Sequence, residues 1–126
     1  MTRQKRAVVL PVIGTRPEVI KMAPVIGALR RTAWADCPLL HTAQHRELAD
    51  EALDTFGIAP DFDLDLMRPR QSLAELTSRL VDGIDGVLAC VRPELILVAG
   101  DTTTVLTAAL AAVGRRIPVV HIEAGL

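Results

Sequence analysis

The chain alternates short apolar runs with longer stretches of helical periodicity. Ala7–Ile13 is apolar throughout, as expected of a strand buried on both faces. Pro17–Arg31 follows with a helical pattern. Its buried candidates are Ile20, Pro24, Ile26 and Leu29, and Arg30 and Arg31 stand at its negative end. Pro24 falls inside this segment, which predicts a kink near Ile20–Met22 or a shorter helix. Pro38–Thr42 reads as a second strand and Arg46–Phe56 as a second helix, stopped by Gly57. Asp61–Leu66 alternates acidic and apolar residues, the period of a strand with one wet face. Ser72–Val91 is the longest predicted helix. Leu73, Leu76, Leu80, Ile84, Val87 and Leu88 recur along it at helical spacing, with Ser72 and Glu75 placed to cap its start. Leu95–Ala99 is a further apolar strand, Thr102–Val113 an Ala-rich helix and Ile117–Ile122 the last strand.

Strands separated by helices imply right-handed crossovers and a mostly parallel sheet. The predicted fold is α/β, a Rossmann-like parallel sheet with helices on both faces, forming one domain over residues 1–126. In such sheets the ligand crevice lies at the carboxyl ends of the strands. Four polar stretches are expected at that edge: Gly14–Glu18, Ala43–Arg46, Gly100–Thr104 and Glu123–Gly125.

Composition narrows the function classes. Fourteen basic and fifteen acidic residues give a net charge of -1. That is no electrostatic footprint for nucleic acid. The aromatics are Trp34, Phe56 and Phe62, too few for base-stacking platforms. Cys37 and Cys90 lie far apart and read as small buried hydrophobes in a reducing compartment. The basic start and short apolar run lack a cleavage site, so no signal peptide is expected. No apolar run approaches the ~20 residues of a membrane span. These features predict a soluble, cytoplasmic protein with no membrane partner.

Gly14-Thr15-Arg16-Pro17-Glu18 is the most informative stretch. Gly14 permits a tight turn. Thr15 and Glu18 have capping-box spacing, and Pro17 suits a first helical turn. Arg16 adds a fixed positive charge beside the positive end of a helix dipole, which points to an anion such as a phosphate or diphosphate. Lys21, one turn on, is placed either to reach that anion or to be solvated. In Gly100–Thr104, Asp101 or Thr102 is placed to cap the next helix. Asp101 is also placed to hold a sugar hydroxyl or move a proton. Glu123, at the next strand end, is either a solvated carboxylate or its partner, since paired carboxylates can divide into an acid and a base. His45 follows the second strand, whereas His41 and His121 fall inside strand patterns and read as structural. Arg68 and Arg70 read as exposed, with Arg70 also within reach of a ligand. No metal-ligand spacing is present. The glycine fingerprints of nicotinamide and nucleoside-triphosphate sites are absent as well, as is the hydrolase elbow.

At these residues the chain closely resembles the non-hydrolysing UDP-N-acetylglucosamine 2-epimerases of bacteria. The matching blocks are GTRPEVIKMAPVI at 14–26, TAQHRELAD at 42–50, DFDLDLM at 61–67, GDTTTVLTAALAA at 100–112 and IPVVHIEAGL at 117–126. The resemblance implies the N-terminal half of a GT-B fold, in which two Rossmann-like domains face each other across a cleft. Members are about three times longer, so a fragment lacking the C-terminal domain is expected. Its implied reaction interconverts UDP-GlcNAc and UDP-ManNAc by eliminating UDP to 2-acetamidoglucal and adding it back, with no metal or other cofactor. Asp101 and Glu123 match acidic residues associated with catalysis. Gly14, Thr15, Arg16 and Lys21 belong to the implied substrate site. Gln44, His45 and Arg70 fall at an implied allosteric site for a second UDP-GlcNAc, where Glu47 replaces a glutamine of some members. The family points to cell-envelope polysaccharide biosynthesis, and a homodimer is expected of the full-length protein. The 126 residues alone are expected to be inactive. The alternatives are a glycosyltransferase of the same architecture and an inactive nucleotide-sugar-binding half-domain.

Overall fold

The computed structural model describes residues 5–122. In chain order the elements are β1 (Ala7–Ile13), α1 (Arg16–Arg30), β2 (Ala35–Asp36), β3 (Leu40–His41), α2 (Arg46–Phe56), β4 (Phe62–Asp63), α3 (Leu73–Val91), β5 (Leu95–Ala99), α4 (Thr103–Gly114) and β6 (Val119–Ile122). The described strands run parallel in the order β4-β3-β1-β5-β6, with β2 beside the start of β1. This is the Rossmann-like α/β architecture expected.

Side-chain alternation along β1 explains its unbroken apolar character. Val9 and Ile13 enter one core with Val19, Met22 and Ile26 of α1 and Leu53 of α2. Leu10 and Val12 enter the other with Leu80, Ile84 and Leu88 of α3 and Ala108 of α4. Each fully buried Leu or Ile contributes about 1.5–3 kcal/mol, so both layers hold β1 in place.

The expected second strand, Pro38–Thr42, is shortened to β3, and a separate two-residue strand, β2, precedes it. β2 pairs with Ala7 and Val8, β3 pairs with Val12 and Ile13, and the two keep the same register on β1. Between them Pro38 has no N–H to donate to a ladder. Side chains take over there: Leu39 N–H donates to Asp61 Oδ2 (2.7 Å) and Arg30 Nε donates to the Cys37 carbonyl (3.1 Å). The third strand is shorter than its alternation predicts. Leu64 and Leu66 continue inward against α3, but Asp65 turns to a φ of 48° and ends the pairing.

α1 runs without a break through Pro24. Pro24 and Ile20, whose carbonyl loses its partner, both lie on the exposed side, where water can satisfy the carbonyl. The inward stripe is instead Glu18, Val19, Met22, Ala23 and Ile26. Leu73 is likewise exposed, because α3 begins there, beyond the layer it covers. Ser72 caps α3, accepting from Glu75 N–H at 3.1 Å. Cys37 is buried and Cys90 is exposed, since Leu80, Ile84, Val87 and Leu88 turn the opposite side of α3 inward. Burial pushes the Cys37 thiol up, despite the lowering effect of Arg30.

The outer strand is tied in by charge. Arg46 donates to both oxygens of Asp63 (2.9 and 2.7 Å) and to Asp65 (3.1 Å). Arg46 thereby holds the Asp63 carboxyl below its ordinary range. A carboxylate with a depressed folded pKa stabilises above its unfolded value, and that contribution is lost as pH falls through the folded one. Melting curves between about pH 6 and pH 2 should show this acid-side loss, and Arg46→Gln should remove it. Both groups are partly solvated, so the pair contributes below about 1 kcal/mol.

Candidate functional site

Three of the four expected polar stretches meet at the carboxyl ends of β1, β3 and β5. The fourth, Glu123–Gly125, lies outside the described residues, so Glu123 is not placed. β1 lies between β3 and β5, and Gly14 at its end is the hub. The Gly14 carbonyl accepts from His45 N–H (2.8 Å) and the Ile13 carbonyl from Thr42 N–H (2.8 Å).

Gly14 earns its place by close approach rather than by a positive φ, which among the described glycines belongs to Gly57 and Gly100. A Cβ on Gly14 would stand 2.0 Å from Thr42 Oγ1 and 2.7 Å from Thr104 Oγ1. These two hydroxyls are 2.9 Å apart. The Thr104 hydroxyl and N–H both donate to Gln44 Oε1, at 2.7 and 3.0 Å. Thr104 has a single hydroxyl proton, so the Thr42 hydroxyl donates to it. Gln44 therefore caps α4 from another segment, an engagement that its position in the sequence did not signal.

Glu18 joins the first and third turns. Its Oε1 accepts from Gly14 N–H (2.8 Å) and Thr15 N–H (2.9 Å), and its Oε2 accepts from the Thr102 hydroxyl. The capping-box arrangement of Thr15 and Glu18 is in place, but the hydrogen bonds belong to its glutamate half. Thr15 Oγ1 is buried and has no hydrogen-bond partner among the described residues. With the Gly14 and Thr15 amides engaged by a carboxylate, the guanidinium of Arg16 is the positive group this turn offers an anion. Thr15→Val keeps the branched shape and removes the unsatisfied hydroxyl. Its melting temperature is expected to equal or exceed that of the wild type, because apolar replacement of an unpaired buried group relieves its desolvation cost.

Arg16 is exposed and lines a cleft of about 280 Å³ between α1 and α2 with Ile20, Glu51 and Phe56. Lys21 is exposed on α1. Asp101 is exposed at the foot of α4, between Gly100 (φ 84°) and Thr102. Thr102, not Asp101, caps that helix, accepting from Val105 N–H at 3.4 Å. Asp101 is thus left without a capping duty. The ring of His121 reaches this turn from β6, its Nε2 donating to the Gly100 carbonyl at 2.6 Å. His121 is exposed rather than enclosed in the sheet.

His45 is exposed and begins α2 without a side-chain cap. Arg70 is exposed in the segment between β4 and α3, with a φ of 57°. His41 is structural, as expected. Ala43 N–H donates to its Nδ1 (3.1 Å), so Nε2 carries the proton that bonds Asp50 Oδ1 (2.9 Å). Among the described residues no cluster of His, Cys, Asp or Glu could hold a metal ion, and no helix is long and apolar enough to cross a membrane.

The fold and this rim define a Rossmann-like α/β domain whose polar turns gather at the carboxyl edge of a parallel sheet. The family model described as UDP-N-acetylglucosamine 2-epimerase matches residues 27–126. The chain belongs to that family. It is 51% identical over 118 residues to the UDP-N-acetylglucosamine 2-epimerase of Escherichia coli K12, covering 94% of this chain and 31% of the relative. Among solved structures, the UDP-GlcNAc 2-epimerase from Neisseria meningitidis bound to UDP-GlcNAc superposes with a TM-score of 0.88 at 50% identity, over 94% of this chain and 32% of that one. The Methanocaldococcus jannaschii enzyme in complex with UDP-GlcNAc and UDP gives a TM-score of 0.87 at 34% identity, over 94% and 33%. The chain spans about a third of the length of the curated relatives it matches.

Proposed function

We propose that these residues form the N-terminal half, of GT-B type, of a UDP-N-acetylglucosamine 2-epimerase that interconverts UDP-GlcNAc and UDP-ManNAc. One observation carries the reading. In a chain of this family, the Arg16 turn and the Asp101 turn stand at the ends of neighbouring parallel strands, tied to each other through Glu18.

The reaction breaks the bond from the sugar C1 to the diphosphate and removes the C2 proton, leaving 2-acetamidoglucal and UDP. Adding UDP back with a proton on the opposite face of C2 completes the epimerisation. The departing diphosphate gathers negative charge, which Arg16 and Lys21 neutralise. Gly14 and Thr15 shape the turn against which it rests. Asp101 and Glu123 are the proton-moving pair. Gln44, His45 and Arg70 border the activator site for a second nucleotide sugar. Gln44 takes part there through its amide nitrogen, because its oxygen is engaged by Thr104. The working protein is a cytoplasmic homodimer of the relatives' length serving cell-envelope polysaccharide synthesis. The 126 residues alone supply one wall of the cleft and do not turn over.

The test is incubation of UDP-GlcNAc in D2O with a protein of the relatives' length that carries these residues. Deuterium at C2 and the appearance of UDP-ManNAc are expected. The absence of both would refute the reading, and sugar transfer to an added acceptor without epimerisation would replace it with a glycosyltransferase.

A further inference from the structure

We propose that Glu18 is a positioning residue that holds the Arg16 turn and the Asp101 turn in one relative geometry. The inference rests on the epimerase reading of those two turns. Glu18 is only 2% exposed, and carboxylates are seldom buried to that degree without a set of donors to hold them. Capping α1 needs Oε1 alone, which takes the Gly14 and Thr15 amides. Oε2 does something a cap does not require. It accepts the hydroxyl of Thr102, 84 residues away in the sequence.

Thr102 uses its hydroxyl in both senses, giving its proton to Glu18 and a lone pair to Val105 N–H. A continuous path of hydrogen bonds therefore runs from the start of α1 to the start of α4. Bonds to a charged acceptor are roughly twice as strong as neutral ones. Gln44 grips the same turn on its other flank, through Thr104. Asp101 sits one residue before Thr102, so its place relative to Arg16 is set by this clamp. In the elimination, charge builds on the diphosphate while a proton leaves C2, and both groups must be satisfied in one transition state. A displacement of about 1 Å between them can cost about 100-fold in rate.

The variants Glu18→Ala, Thr102→Val and Thr102→Ser test this in a protein of the relatives' length. Hydrogen–deuterium exchange, UDP affinity and kcat per folded molecule are read for each. Glu18→Ala is expected to raise exchange across residues 100–105, on the far side of the bridge. Thr102→Val should lower kcat by about 10- to 100-fold with UDP affinity changed by less than about threefold. Thr102→Ser, which keeps the hydroxyl, should recover both exchange and kcat. If Glu18→Ala fails to fold, the Val and Ser pair carries the test. A lower melting temperature with kcat per folded molecule unchanged would overturn the proposal, as would exchange at 100–105 that ignores Glu18. A wild-type protein that does not epimerise would instead overturn the epimerase reading and the catalytic role with it. The two failures are therefore distinguishable.

Discussion

Replacing Asp101 with Asn in a protein of the relatives' length is expected to cut C2 proton exchange by about 10²- to 10⁴-fold, the usual worth of a general acid or base. Asn keeps the size and the hydrogen-bonding reach of Asp but cannot carry the proton. The change should leave the fold alone. Asp101 is exposed, and α4 is capped by Thr102 and gripped by Gln44. A surface change clear of caps and networks moves stability within about 0.5 kcal/mol. The melting temperature should therefore stay near that of the wild type while deuterium incorporation from D2O collapses. A different pattern would assign Asp101 a different job. If KM rises and kcat holds, Asp101 binds a sugar hydroxyl in ground and transition states alike and moves no proton.

The sequence disclosed the elements whose signals are local. β1 and β5 read true because both faces of each are buried, and α2 because Gly57 ends it in a left-handed cap with a φ of 67°. Ser72 and Glu75 announced the start of α3 for the same reason. What it concealed was set by contacts between distant segments. Ile20 and Leu73 fit the helical period yet face solvent, because the period does not say where the covering layer stops. The break between β2 and β3 is a long-range compromise that draws on Asp61 and Arg30. At the rim, the spacing of Thr15 and Glu18 indicated a capping box, but not that Glu18 would reach Thr102. Gly14 read as the glycine of a tight turn, a conformational reason that its backbone does not bear out. The physical reason, two threonine hydroxyls packed where a Cβ would go, needed the other two turns in place.

Gly14→Ala is expected to be the most destabilising single methyl addition at the rim. The new carbon would lie 2.0 Å from Thr42 Oγ1 and 2.7 Å from Thr104 Oγ1, far inside contact distance. Neither oxygen is the loose end of a long side chain. Both residues are fully buried and β-branched, and their hydroxyls bond each other and Gln44. Relief requires a χ1 rotation that breaks this network or a shift of the β1 end away from β3. Overpacking alone costs about 1–3 kcal/mol, and an orphaned buried hydroxyl adds about 1–3 kcal/mol more. A total of about 3 kcal/mol or above corresponds to a fall of roughly 10 °C in melting temperature for a domain of this size. A double-mutant cycle identifies the cause. Thr42→Ala removes the nearer oxygen, so Gly14→Ala should cost less in that background than in the wild type, with a coupling of at least about 1 kcal/mol. Strict additivity would mean that the Thr42 oxygen is not what excludes the methyl.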